Sequence, residues 1–190
     1  MIIEQTLYDG TFIHERFAYK YFKKAVSPYG NIVAFRAPML VTDALIDLED
    51  SMSQDFIYSD DAINFCWEIP NLDAFGAVAF QRLFNTLLSN IFYDYISPFG
   101  KMKGDDIMVM VPIDRNCFDW QKASVSITYS KNSTAIGHTG INVKAGDKAP
   151  AFAYSSNLTD EECESFMQEV IKMFNDTVSD IFVATTKVIV

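Results

Sequence analysis

A chain of 190 residues with 15 Lys and Arg against 25 Asp and Glu carries a formal charge of −10. That balance disfavours a polyanionic partner, because sequence-independent nucleic-acid affinity comes from cations that neutralise phosphates. Hydrophobic residues make up 49% and aromatic residues 14%, enough for a large core, yet no apolar run reaches the roughly 20 residues that span a bilayer.

The length reads as a single domain over residues 1–190. Met1 to Gln5 lacks the basic segment, long apolar stretch and cleavage site of a secretory signal, so a cytoplasmic location is expected. Three cysteines, at 66, 117 and 163, form no CxxC pair, and His14 and His138 are the two histidines. This usage points to reduced thiols and counts against sites built on three histidines and zinc. Sixteen Phe and nine Tyr fit a partly apolar surface through which a homodimer forms.

In chain order, Ile2 to Leu7 reads as a strand ended by a turn at Tyr8-Asp9-Gly10-Thr11. Residues 14 to 26 read as a helix, with Lys20, Lys23 and Lys24 as a solvated face. Asn31 to Arg36 is a buried strand, which Pro38 is expected to end because it has no N–H for a ladder. Leu45 to Asp50 is an acidic segment, and Ala62 to Ile69 is a short strand closed by Pro70. Asn71 caps a long helix running to about Tyr95, with Phe80, Leu83, Phe84, Leu87, Leu88, Ile91 and Tyr95 as its core stripe.

The second half changes texture. Ile107 to Val111 is a strand, and Lys122 to Tyr129 alternates apolar with small polar residues as a half-buried strand does. Ile136 to Val143 is its neighbour across a hairpin. Thr159 and Glu162 have capping-box spacing ahead of a last helix lined by Phe166, Val170, Phe174, Val178 and Ile181, and residues 182 to 190 read as a final strand. The pattern is α+β: a mostly antiparallel sheet with about three helices.

The residues best placed for chemistry are Lys122, Ser124, Ser126 and Thr128 with the adjoining segment from Ile136 to Asn142. Small side chains leave room there, and period-two counting sends His138, Gly140 and Asn142 one way. A lysine at a strand start can hold a carboxylate or phosphate, and a histidine titrating near neutrality can pass protons. An ordinary solvated sheet face with a satisfied histidine accounts for the same pattern. Gly104-Asp105-Asp106 reads as a turn whose carboxylates could instead meet Mg²⁺ or guanidine-like ligand groups. Asp47 and Glu49 share a face if Leu45 to Asp50 is extended. Arg36 and Arg82 lie in apolar segments and each needs a carboxylate, in an ion pair or on a ligand. No Walker loop, GxGxxG, GxSxG or HExxH occurs.

The succession Tyr8-Asp9-Gly10, Ile32 to Arg36, Leu45 to Asp50, Ser59-Asp60-Asp61, Gln81-Arg82-Leu83, Gly104-Asp105-Asp106, Lys122 to Thr128 and His138 to Val143 resembles domain-of-unknown-function family 366. The resemblance implies a fold related to class II aminoacyl-tRNA synthetases and to biotin and lipoate protein ligases. It makes Lys122 similar in placement to the substrate-carboxylate lysine of lipoate ligases. The arginine-glycine nucleotide motif of those ligases is missing, since Arg36-Ala37-Pro38 is followed by no glycine run.

A phage branch of the family is linked to 7-deazaguanine DNA modification. The resemblance therefore implies a decarboxylase converting 7-carboxy-7-deazaguanine to 7-deazaguanine without metal or cofactor, acting in the host cytoplasm if phage-encoded. In that scheme His138 is the acid and Lys122 the carboxylate partner. Glu49 or Asp50 accepts hydrogen bonds from the purine edge, with Asp47, Ser124, Ser126, Arg36, Arg82 and Asp106 around the substrate. The expected partner is a purine-like carboxylate, with neither nucleic acid nor membrane bound directly. A lipoate- or biotin-ligase-like acyl or adenylyl transferase and a non-catalytic purine-binding protein are the alternatives.

Overall fold

The computed structural model describes residues 1–14, 16–23, 27–42, 52, 56–96, 99–115 and 117–187. Its elements run in the order α1 (Phe17–Phe22), β1 (Asn31–Val41), β2 (Ile57–Pro70), α2 (Ala74–Ile96), β3 (Gly100–Lys103), β4 (Asp106–Pro112), β5 (Phe118–Lys122), β6 (Ser124–Lys131), β7 (Thr134–Lys144) and α3 (Asp160–Thr185). They form an antiparallel four-stranded sheet of order β1-β2-β7-β6 and a three-stranded antiparallel sheet of order β3-β4-β5. Among the described residues, three helices of six residues or more and two antiparallel sheets make the α+β arrangement read from the sequence.

The four-stranded sheet is covered on both faces. Ala34, Phe65, Thr139 and Ser126 stand in register on the face under α2 and α3, where Trp67, Phe84, Phe166 and Phe174 fill the larger core. Val33, Cys66, His138 and Ile127 stand in register on the other face, beneath Tyr8, Ile13 and Phe17. This explains the eight consecutive buried residues of β2, since a central strand with two covered faces loses its polar alternation. Gly137 is required by that packing: a Cβ there would stand 2.2 Å from the Trp67 ring.

Several boundaries differ from the sequence reading. Pro38 does not end β1, because the register shifts between Ala37 and Met39 and the ladder skips it. Its carbonyl instead accepts the Tyr8 N–H at 2.9 Å. The opening segment is extended but forms isolated parallel bridges, Ile2 with Ala34 and Tyr8 with Met39, in place of a continuous strand. Among the described residues the first helix is α1, while residues 15 and 24 to 26 of the expected span lie outside them.

Asn71 does not cap α2. It adopts a left-handed φ of 64°, and Asp73 accepts the Gly76 N–H at 2.7 Å in its place. β3 has no counterpart in the sequence reading, and the turn expected at Gly104-Asp105-Asp106 joins it to β4. The expected strand from Lys122 to Tyr129 is divided at Ala123, whose N–H donates to the Ile107 carbonyl at 2.8 Å. Lys122 ends the smaller sheet and Ser124 begins the last strand of the larger one. The hairpin between β6 and β7 turns through Asn132 and Ser133, both with positive φ, as a two-residue turn matching strand twist requires. The capping box of Thr159 and Glu162 is present, and α3 continues to Thr185, through residues expected as a final strand; residues 188 to 190 lie outside the described set.

Candidate functional site

Three consecutive residues, Asp105, Asp106 and Ile107, gather Arg82, Lys122 and Ser124 of the polar residues singled out in the sequence. The Lys122 ammonium lies 2.8 Å from the Asp106 carboxylate, both side chains keeping roughly a third of their exposure (31% and 27%). The Ser124 hydroxyl is fully buried and accepts the Ile107 N–H at 2.9 Å, closing the point where the two sheets separate. Asp105 accepts from Gln81 Nε2 at 3.1 Å and pairs with Arg82 Nη1 at 3.4 Å. Gln81 donates also to Ser126 Oγ at 2.8 Å, and Ser126 reaches the His138 carbonyl at 3.1 Å. Arg82, Asp106, Lys122, Ser124 and Ser126 thus meet in one polar seam where α2, the smaller sheet and the edge strand β6 join.

The seam has a buried floor. Asn85 donates to the Asp105 carbonyl at 2.9 Å and accepts from Thr139 Oγ1 at 2.7 Å. Gln81, Asn85 and Ser89 are buried one helical turn apart, so the inward face of α2 is part polar. The expected stripe is rotated accordingly: Phe80, Phe84 and Leu88 are buried, while Leu83 is exposed. Sequence reasoning gave no role to Gln81, Asn85 or Thr139, whereas Asp105 belongs to the turn whose carboxylates were read as able to meet a cation, and it pairs with the Arg82 guanidinium. The recurrence of polar residues at 81, 85 and 89 within an apolar helix is the signal that could have found the helical side of this floor.

His138 has a different environment. Its side chain shares a face with Gly140, as period-two counting predicts, but that face is opposite the one carrying Ser126 and Thr139. The ring is stacked on Tyr8 with centroids 3.7 Å apart and lies 2.9 Å from Asn64 Oδ1. Asn64 Nδ2 donates to the carbonyls of Ala37 and Ala62, which leaves its oxygen as acceptor and makes His138 Nε2 the donor. Burial lowers the imidazole pKa to about 3, so the ring is neutral near pH 7. A neutral imidazole whose N–H is committed to a buried amide is a poor source of protons.

Arg36 lies apart from the seam. It makes a two-point contact with Asp61 at 2.6 to 3.0 Å and reaches Asp160 at the start of α3 at 2.5 Å. Both Arg36 and Arg82 therefore meet carboxylates, as their apolar sequence context requires. Asp47, Glu49 and Asp50 lie outside the described residues. Among the described residues no three His, Cys, Asp or Glu side chains are grouped to hold a metal ion, and no helix is long and apolar enough to cross a membrane.

Two covered sheet faces, three helices and this strand order define an α+β fold of the biotin and lipoate protein ligase kind, related to class II synthetases. Biotin protein ligase from Aquifex aeolicus, solved with biotin and ATP, superimposes with a TM-score of 0.59 at 14% identity, over 94% of this chain and 70% of that one. A T. acidophilum protein solved with bound lipoic acid gives 0.52 at 11% identity, over 75% and 72%. A protein of unknown function from Pyrococcus horikoshi gives 0.82 at 24% identity, over 100% and 97%. Residues 1–189 match the family described as domain of unknown function (DUF366), and the chain belongs to that family. No curated protein matches it.

Proposed function

We propose that this chain decarboxylates 7-carboxy-7-deazaguanine to 7-deazaguanine in a phage-type DNA-modification pathway. The observation that carries the reading is the Lys122–Asp106 pair, a charged couple 2.8 Å apart that stays open to a ligand at the rim of a buried polar network. Its chemistry suits the loss of a ring carboxylate. The Lys122 ammonium meets the carboxylate and supplies a proton to the ring carbon bearing it. The C–C bond then breaks, its electron pair restores the aromatic pyrrole, and CO₂ leaves; Lys122 regains its proton from water. Asp106 repels the carboxylate of the bound acid but not neutral CO₂, so it disfavours the ground state more than the product-like transition state.

His138 was the expected acid. Its neutral, enclosed ring moves that role to Lys122 and leaves His138 to position the sheet. Glu49 or Asp50 remains the proposed acceptor for the purine edge. Proteins of the same fold hold biotin with ATP, and lipoic acid, which supports a small organic acid as ligand.

Ligase-like transfer is the second reading, favoured by that same fold. The missing glycine run after Arg36-Ala37-Pro38 weighs against adenylation. Purified protein is incubated with 7-carboxy-7-deazaguanine and a chelator, and the products are weighed by mass spectrometry. Loss of CO₂ is expected. No loss, together with ATP-dependent pyrophosphate release on adding lipoate or biotin, would replace the decarboxylase by the ligase.

A further inference from the structure

We propose that the outer face of the three-stranded sheet is where a planar heteroaromatic carboxylate binds, with Trp120 as the platform for its ring and Lys122 as the partner of its carboxylate. The identity of the acid rests on the decarboxylase reading; the location does not. Strand alternation divides this sheet sharply. Ile107 and Val109 point inward and are fully buried. Lys101, Met108 and Lys122 stand in register on the opposite face, as do Met110 and Trp120.

This face is unlike the rest of the molecule in charge and chemistry. Lys101, Lys103 and Lys122 share it with Asp106 as their acidic counterpart, on a chain of net charge −10. Lys101 crosses the central strand to place its ammonium 3.8 Å from the Trp120 ring centroid. A cation held on an indole by so exposed a lysine is readily exchanged for a flat ring, and the displaced ammonium stays beside the site to meet negative charge. Trp120 and Lys122 are two residues apart on one strand, hence about 7 Å apart on the same face. A fused bicyclic ring on the indole would direct an attached carboxylate toward the flexible Lys122 ammonium.

Lys122 is also the point where this face meets the seam, through its pair with Asp106. A ligand on the indole would therefore have its carboxylate at the charged couple while its ring remained outside the core. Met108 and Met110, half-buried beside Trp120, supply adaptable apolar contacts to the ring edge.

The test is isothermal titration calorimetry of the full chain with 7-carboxy-7-deazaguanine, which separates the fast heat of binding from the slower heat of any reaction. Trp120→Leu is expected to weaken binding about ten-fold, and Trp120→Phe to hold it within about three-fold of the parent, because a ring platform persists. Lys122→Met should weaken binding of the acid but leave 7-deazaguanine, which lacks the carboxylate, unaffected. Emission from Trp67, fully buried in the core, checks that the Trp120 variants are folded. Absence of binding by the parent, or unchanged affinity in Trp120→Leu, would overturn the site. Trp120-dependent binding without CO₂ release removes the decarboxylase and keeps the site. CO₂ release with an unchanged KM in Trp120→Leu removes the site and keeps the reaction.

Discussion

His138 and Lys122 lie in the same stretch of chain, yet their surroundings are opposite. His138 is enclosed: its ring is sandwiched against Tyr8, its N–H is spent on Asn64, and its carbonyl, on the far side of the strand, accepts from Ser126. Lys122 stands at the end of β5 with its carboxylate partner, and both retain water. An imidazole without water or a counter-ion gives up its proton, whereas Lys122 has both a carboxylate and solvent within reach. The residue type best suited to proton transfer near pH 7 is thus enclosed and neutral, and the lysine is open to a ligand. Position relative to the core, more than side-chain identity, separates the enclosed residue from the accessible one.

The largest effect that would sharpen this contrast is on turnover. Lys122→Met should lower the rate of CO₂ release about 1,000-fold, or about 4 kcal/mol in the barrier. The same substitution should change unfolding free energy by less than about 1 kcal/mol, since a half-exposed ion pair contributes little to stability. A variant that lost both together would erase the distinction between the two regions.

Acid titration addresses the other region. The folded His138 ring has a pKa of about 3, below the value near 6.5 for an unfolded chain, so the unfolded state takes up the extra proton first as pH falls. Its contribution is whole above about pH 6.5, declines by about 1.4 kcal/mol per pH unit below that, and is gone near pH 3. From pH 6.5 to 4.5 the loss is about 3 kcal/mol in urea unfolding, and His138→Gln should flatten that part of the profile. An unchanged profile would place the ring in contact with water.

Asn64→Leu should cost about 2 kcal/mol in the same measurement, because the His138 N–H and the carbonyls of Ala37 and Ala62 lose their buried partner. Its effect on KM should be small, as none of these groups reaches the seam. Thr159→Ala, remote from both regions, should cost about 1 kcal/mol through loss of the α3 cap and leave turnover and the acid profile unaltered.

Much of the architecture was legible because it rests on local pattern. The α3 cap and the buried positions Phe166, Val170, Phe174 and Val178 follow from spacing along one helix. The pairing of β6 with β7 follows from alternation, and the family and its ligase-like fold follow from the order of short motifs. The errors arose where a distant segment decided the outcome. Pro38 is tolerated because a bulge removes the need for its N–H, and Ala123 divides a regular alternation because β4 accepts its backbone.

By itself the sequence determined which residues could carry charge into a site and, along an unbroken strand such as β7, which of them share a side, since alternation and helical period are properties of the local backbone. It also determined that Arg36 and Arg82 must find carboxylates, because an unpaired guanidinium is costly to bury. Only the tertiary structure decided that His138 would be neutral beneath Tyr8, that Lys122 would stand beside Asp106, and that Trp120 would share an outward face with three lysines. Those outcomes depend on what is packed against each face and how much water remains there, and both are set by segments far apart in the chain.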